Sequence, residues 1–169
     1  MVTRRLSGGA AVAPVVGPEV PMPHGLPAAF EMLVPTDLAY VRPARKMLEA
    51  LLVAQGWGED DVDDVGLLAT EVVQNAIEHG SRGDGSELVR IVCHVEAEAV
   101  TLEVSDPGSG KDPEIAIARD PTEPPPLDAA RGRGLFLINR LATRFDREIG
   151  VEGGLRIVVR REAEEGEGE

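Results

Sequence analysis

Three short groups of residues in this 169-residue chain could bind a metal ion, a phosphate or a flat ring. The first is Glu71 with Asn75, inside the segment Glu-Val-Val-Gln-Asn-Ala-Ile-Glu-His-Gly. Residues four apart on a helix share a face. The amide oxygen of Asn75 could ligate a hard cation such as Mg²⁺, and the carboxylate of Glu71 could orient or deprotonate a nucleophile. Taken alone, the pair is also typical of a solvated polar face.

The second group runs from Asp106 to Gly110 and reads Asp-Pro-Gly-Ser-Gly directly after an apolar segment. A carboxylate at the end of a strand can accept a hydrogen bond from a buried base amine. Gly108 and Gly110 would let the backbone approach a flat ring. Since Asp, Pro and Gly are also turn-forming residues, a plain surface turn is the alternative.

The third group is Gly132, Arg133 and Gly134, which open a predicted helix. Free backbone N–H groups at a helix start bind anions, and glycine permits close contact with a phosphate. A helix start with flexible glycines is the alternative here.

Hydrophobic spacing predicts the elements that must position these groups. A helix begins at Thr36 or Asp37, is kinked or delayed by Pro43 and ends at Gly56. A second helix runs from after Gly58 to about His79, on a stripe of Val and Ala. A third begins at the Arg-Gly-Arg-Gly segment. Strands are predicted over 30–34, 88–96, 100–105, 144–150 and 154–161. Hairpin strands with few helices imply an α+β, two-layer α/β sandwich.

The composition divides the chain into a folded part and two loose ends. Residues 1–28 are rich in Gly, Pro and Ala and are expected to be a disordered extension. Residues 162–169 form an acidic tail, which leaves 29–161 as the folded domain. Within it, residues 107–130 contain six prolines and are predicted to be a long, functional loop.

The overall charge and the single cysteine limit the class of protein. A net charge of −13 argues against direct nucleic-acid binding, and it fits either a basic partner or simple solubility. Cys93 lies in an apolar run, which agrees with packing in a reducing compartment. Without a run of about 18 apolar residues we expect no membrane helix, and we expect a cytoplasmic protein.

The order of the three groups is more specific than any one of them. The chain resembles the GHKL ATPases in this order of motifs: a helix with acid-x-x-x-Asn, a strand followed by Asp-x-Gly-x-Gly, a long loop, and Gly-x-Gly at the start of a helix. Gyrase, histidine kinases and heat-shock chaperones share this fold. The resemblance covers about 30–161 and identifies 107–131 as an ATP lid. It implies a mixed, mostly antiparallel sheet with three main helices on one face.

Within that family, the residues of the first and third groups resemble those of the stand-alone anti-sigma factor serine/threonine kinases of bacteria. The resemblance implies that Glu71 is the catalytic base and that Asn75 ligates Mg²⁺. Asp106 would hold the adenine amine, beside Gly108 and Gly110. The residues implied near the phosphates are Arg131, Gly132, Arg133, Gly134 and Leu135.

Such kinases commonly carry a Gly-Thr-Thr segment on the last strands. Here the segment reads Gly153-Gly154-Leu155-Arg156, so neither hydroxyl is present and adenine binding is expected to be weaker or supported by another group.

The resemblance implies an ATP- and Mg²⁺-dependent kinase. It would phosphorylate a STAS-type anti-anti-sigma partner and sequester a sigma factor, as a homodimer without membrane or direct nucleic-acid contact. One alternative is a non-catalytic regulator in which ATP gates a protein contact. A histidine-kinase catalytic domain ranks lower, because His24 is the one histidine before Phe30 and lies among prolines.

Overall fold

A computed structural model of the chain describes residues 28–124, 133–151 and 153–163. A single 3-10 turn, Leu38–Tyr40, precedes the first helix. The helices are α1 (Val41–Ala54), α2 (Glu59–Gly80), α3 (Pro113–Ala118) and α4 (Gly134–Leu141). The strands are β1 (Ala28–Pro35), β2 (Leu88–Val95), β3 (Ala99–Ser105), β4 (Arg144–Ile149) and β5 (Leu155–Glu162).

The five strands form one sheet in the order β1-β2-β3-β5-β4. All four pairings in the described residues are antiparallel, although a mixed sheet was expected. Short connections explain the direction of two pairings, because β2 to β3 and β4 to β5 are hairpins. The chain enters the sheet edge as β4 and returns as β5 beside β3, with Val104 opposite Ile157.

The core lies between one face of this sheet and the helices. Alternate residues of β2 are buried, from Val89 to Val95, as the period of a half-buried strand requires. The predicted apolar stripe of α2 faces them and is buried throughout: Val62, Val65, Ala69, Val72, Val73 and Ala76. The other face of the sheet is polar, with ion pairs such as Arg90 to Glu31 at 2.7 Å. The structure therefore confirms the two-layer α+β architecture.

Local signals fix where the first two helices begin. The Asp37 carboxylate accepts a hydrogen bond from the Ala39 N–H at 2.9 Å and caps the 3-10 turn. Pro43 lies in the first turn of α1, where its missing N–H is tolerated. Proline therefore delays the start of the α-helix to Val41. Glu59 and the two aspartates after it open α2, where the helix dipole favours negative charge.

The structure differs from the sequence prediction mainly between β3 and α4. The predicted lid, 107–131, contains α3, with Pro113 as its first residue, a position that proline favours. β1 and β5 each extend one residue into the predicted extension and tail, at Ala28 and Glu162. The rest of those two segments lies outside the described residues. Each helix of the described part of the chain is too short or too polar to span a bilayer.

Candidate functional site

A cavity of about 430 Å³ opens between α2, α3, α4 and the ends of β3 and β5. This volume is in the range of small-molecule sites. The cavity brings together the first predicted group and parts of the other two, namely Asp106 from the second and Arg133 with Gly134 from the third. Its lining includes Glu71, Gln74, Asn75, Glu78, His79, Gly80, Asp106, Lys111, Arg133, Gly134, Leu135 and Leu155.

Glu71 and Asn75 project from α2 toward the first residue of α4, as predicted for neighbours on one helix face. A Cβ placed on Gly134 would lie 2.6 Å from Glu71 Oε2 and 3.4 Å from Asn75 Nδ2. Glycine at this position therefore lets the start of α4 approach both side chains. The first N–H groups of α4 have no partner within their own helix, so they can bind an anion there.

The Glu71 carboxyl is half-buried, and burial raises its pKa above the ordinary value. The negative charge of Glu78, two turns further along α2, raises that pKa further. Both effects disfavour the charged form. A carboxylate with a raised pKa is a better proton acceptor near neutral pH, which suits a general base.

The Asn75 side chain carries an unpartnered buried atom. Its Nδ2 has no hydrogen-bond partner in the described part of the chain. A buried amide without a partner costs free energy, and such groups in native proteins call for an explanation. Because an amide offers an oxygen and two N–H donors, Asn75 can present either to a cation or to a phosphate oxygen. A hydrogen-bond acceptor placed in the cavity would satisfy the Nδ2 group.

Asp106 is held firmly at the end of β3. The residue is only 8% exposed, and its Oδ1 accepts hydrogen bonds from Gly108 N at 2.9 Å and Leu155 N at 3.1 Å. Burial raises its pKa, and these two N–H donors oppose that rise. Its second oxygen, Oδ2, makes no hydrogen bond within the described ranges, so Asp106 can accept one from a base amine.

Gly108 and Gly110 do not line the cavity. Gly108 has φ +71°, which favours glycine, and packs against the backbone of Gly154. Gly110 packs against the His79 carbonyl, and its N–H donates to Gly80 O at 3.3 Å. Both glycines therefore join the loop after β3 to its neighbours, and the predicted contact with an adenine ring stays a prediction.

The sequence prediction missed Gly80 and Gly154, which shape the pocket around Asp106. A Cβ on Gly80 would come closer than 3.0 Å to the Asp106 carboxyl group, and one on Gly154 would lie 2.5 Å from Asp106 Oδ1. The sequence could have pointed to these glycines only by their positions, Gly80 at the end of α2 and Gly154 in the turn between the last two strands. The contacts themselves link residues far apart in the chain.

Two further lining residues pair at the rim. Lys111 Nζ lies 3.3 Å from His79 Nδ1, and Lys111 N donates to His79 O at 2.6 Å. Neither residue is among those that the sequence predicted for the site. A signal for Lys111 is its position directly after the Asp-x-Gly-x-Gly group.

The structure describes three of the five residues predicted to lie near the phosphates. Arg133, Gly134 and Leu135 line the cavity, whereas Arg131 and Gly132 lie outside the described residues. At the position of the absent threonines, Leu155 lines the cavity and donates its N–H to Asp106. Arg156 lies on the opposite face of the sheet and pairs with Glu103 at 2.6 Å, so a hydroxyl there would not reach the site.

Comparison with known proteins agrees with this geometry. Residues 34–161 match the family described as "Histidine kinase-like ATPase domain". The chain is 26% identical over 147 residues to the serine-protein kinase RsbW of Staphylococcus aureus strain MSSA476, covering 83% of this chain and 92% of that protein. The same protein from strain JH9 matches over the same shares.

Two solved structures share the fold. The RsbU and RsbW domains of Rv1364c from Mycobacterium tuberculosis match with a TM-score of 0.59 at 19% identity, over 80% of this chain and 32% of that one. The SiaB–SiaC complex from Pseudomonas aeruginosa matches with a TM-score of 0.55 at 15% identity, over 79% and 89%. The family match spans most of the folded part, so the chain belongs to the histidine kinase-like ATPase family, of the GHKL type that its three residue groups resemble.

Proposed function

We propose that this chain is a Mg²⁺- and ATP-dependent serine/threonine protein kinase of the anti-sigma factor type. The observation that carries the proposal is the placement of Glu71. Its carboxyl has a raised pKa and lies beside the unpartnered amide of Asn75 and the start of α4. A proton acceptor, a potential metal ligand and an anion-binding helix end thus meet in one cavity.

The residues present fit a magnesium nucleotide. Asp106 would accept the adenine amine on its free oxygen, and Asn75 would ligate the metal. Arg133 and the first N–H groups of α4 would hold the phosphates. When bound, Mg²⁺–ATP would supply the transferable phosphoryl group and a divalent charge that neutralises its oxygens.

The protein's own part in the chemistry is positioning and proton transfer. Glu71 would accept the proton of a substrate hydroxyl, which its raised pKa favours near neutral pH. Gly134 keeps the start of α4 close enough for the same carboxylate to face the phosphate end of the cavity. Residues of α3 and the loop before it would exclude water from this space.

The proposed partners are a STAS-type anti-anti-sigma protein as substrate and a sigma factor as the sequestered protein, with the kinase acting as a homodimer. Relatives named as serine-protein kinases support the protein substrate. A structural neighbour solved in complex with a second protein supports regulation by binding. The net charge of −13 leaves direct nucleic-acid binding out of the proposal.

The test is transfer of labelled phosphate from ATP to candidate anti-anti-sigma proteins by wild type and Glu71→Gln. Loss of a general base should lower transfer by roughly 10²-fold or more, while ATP binding persists. Asp63→Asn is the matched control, since it makes the same chemical change on an exposed position of α2 outside the cavity. Its transfer rate should equal that of wild type.

The outcomes separate the proposal from its alternative. Full transfer by Glu71→Gln would remove Glu71 from the role of base. A wild-type chain that binds ATP with Mg²⁺, yet transfers no phosphate to any candidate, would favour the ATP-gated regulator. Leu155 at the place of the expected threonine is the specific observation that favours this second function.

A further inference from the structure

The α3 helix forms the outer wall of the cavity and needs support from outside itself. It has six residues, far fewer than an isolated helix needs in water. Pro113, Ile115, Ala116 and the following Arg119 line the cavity. At its start, the Asp112 carboxylate caps the helix by accepting from Glu114 N at 3.0 Å.

The support at the other end of α3 comes from Arg147 on β4, the edge strand of the sheet. Its guanidinium donates from Nη1 to the Ala116 carbonyl and from Nη2 to the Arg119 carbonyl, the latter at 2.9 Å. Carbonyls at a helix C-terminus lack partners within the helix and attract cations. One side chain therefore joins the last turn of α3 to the sheet.

The position of this guanidinium is itself fixed. Arg147 shares the helix-bearing face of β4 with Phe145, which packs against the core, and its Cζ lies 5.2 Å from the centre of the Phe145 ring. Burial lowers the pKa of Arg147 and the charge of Asp120 opposes that effect, yet an arginine stays charged. The planar fork reaches two carbonyls at once, which a lysine ammonium does not match.

We propose that Arg147 is a positioning residue: its two hydrogen bonds hold α3 over the cavity and slow the escape of bound nucleotide. The inference rests on the proposed nucleotide-binding function. Arg147 is not among the cavity-lining residues, so it acts through α3. Its loss should therefore affect retention of the nucleotide more than the transfer step itself.

The experiment compares wild type with Arg147→Met, Arg147→Lys and a control, Arg144→Met. Arg144 is on the same strand, 72% exposed, and pairs with Asp146. Hydrogen–deuterium exchange of the α3 amides is measured without nucleotide. Stopped-flow displacement of a fluorescent ATP analogue gives its dissociation rate, and KM for ATP and kcat are measured where transfer is detected.

For Arg147→Met we expect faster exchange in α3 and roughly tenfold faster nucleotide dissociation, as for loss of hydrogen bonds to a charged group. KM for ATP should rise in proportion while kcat changes less than about twofold. Arg147→Lys should recover little of the loss, and Arg144→Met should behave as wild type.

Two results would overturn the inference. One is unchanged exchange of the α3 amides in Arg147→Met, and the other is faster exchange with an unchanged dissociation rate. A wild-type chain that takes up no ATP analogue would refute the proposed function instead. The exchange measurement needs no nucleotide, so it still decides whether Arg147 holds α3.

Discussion

Replacing Gly80 with alanine tests the tightest packing in the site. Gly80 is the last residue of α2, and a Cβ there would come closer than 3.0 Å to the Asp106 carboxyl group. Carbon atoms in contact lie about 3.5–4.0 Å apart, so α2 or Asp106 would have to move by roughly 1.5 Å or more. Asp106 cannot move freely, since its Oδ1 holds the N–H groups of Gly108 and Leu155.

The magnitude follows from opposing terms. Alanine in place of glycine favours the helix by up to about 1 kcal/mol. Overpacking costs about 1–3 kcal/mol, and each weakened hydrogen bond to the carboxylate about 1.5–3 kcal/mol. The clash therefore outweighs the propensity, and we expect a net destabilisation of roughly 2–4 kcal/mol. A displaced Asp106 should also lower ATP affinity by roughly 10²-fold, equivalent to about 3 kcal/mol.

The assay is urea unfolding at equilibrium, together with calorimetry of ATP binding in the presence of Mg²⁺. Gly58→Ala is the matched control, because Gly58 lies at the other end of the same helix and a Cβ there meets no atom within 4 Å. The control should stay within about 0.5 kcal/mol of wild type, since the poorer N-cap and the lower entropy of the unfolded chain have opposite effects of similar size. An unchanged urea slope would show that stability changed rather than the unfolded state.

The reasoning would be refuted if Gly80→Ala matched the control in both stability and ATP affinity. Asp106 would then have moved without loss, and the argument that it is locked by its neighbours would be wrong. A destabilised variant with normal ATP affinity would leave the packing argument intact and would remove Asp106 from nucleotide binding.

Two other predictions concern titratable groups. Folding raises the pKa of Glu71, so the stability that this group contributes is present below the pKa of an unfolded glutamate and is lost as the pH rises through the folded value. Glu71→Gln should therefore be more stable than wild type near pH 7 and equal to it near about pH 4. Equal urea midpoints of the two proteins at both pH values would contradict this. Burial raises the pKa of the Cys93 thiol to about 12, so a thiol reagent should label the native chain only when it unfolds. A labelling rate of the folded protein equal to the rate in urea would show instead that the thiol is accessible.

The sequence predicted the elements well where periodicity was strong. The strand predicted over 88–96 is Leu88–Val95, because alternation of buried and exposed residues defines it. The helix predicted to reach about His79 ends at Gly80. The short α3 was missed, because a proline-rich segment with six helical residues lacks a repeating apolar pattern. Propensity is weak over so few residues, and the contacts of Arg147 are what position them.

The site was predicted in part for the same reason. Glu71 and Asn75 were found together because local helical geometry joins residues four apart. The partners of each glycine could not be predicted, since they depend on tertiary packing. Gly110 contacts the His79 carbonyl rather than the cavity, and Gly80 contacts Asp106, which is far from it in the sequence. The sequence shows which positions carry glycine and so permit a close contact, whereas only the tertiary packing determines which residue makes that contact.

The site residues share a property that locates the site independently of any relative. Burial raises the pKa of both Glu71 and Asp106, so each resists the charge it must carry near neutral pH. The Nδ2 group of Asn75 is buried without a hydrogen-bond partner in the described residues. Each of these features lowers the stability of the chain, while the core around Val72 and Ile91 is fully buried and apolar. Unfavourable features that gather in one cavity are expected where function, rather than stability, determines the residues. A metal cation would favour the charged form of Glu71, an amine donor would pair with Asp106, and a phosphate oxygen would accept from Asn75 Nδ2. These are the three kinds of group that the proposed magnesium–adenine nucleotide would supply.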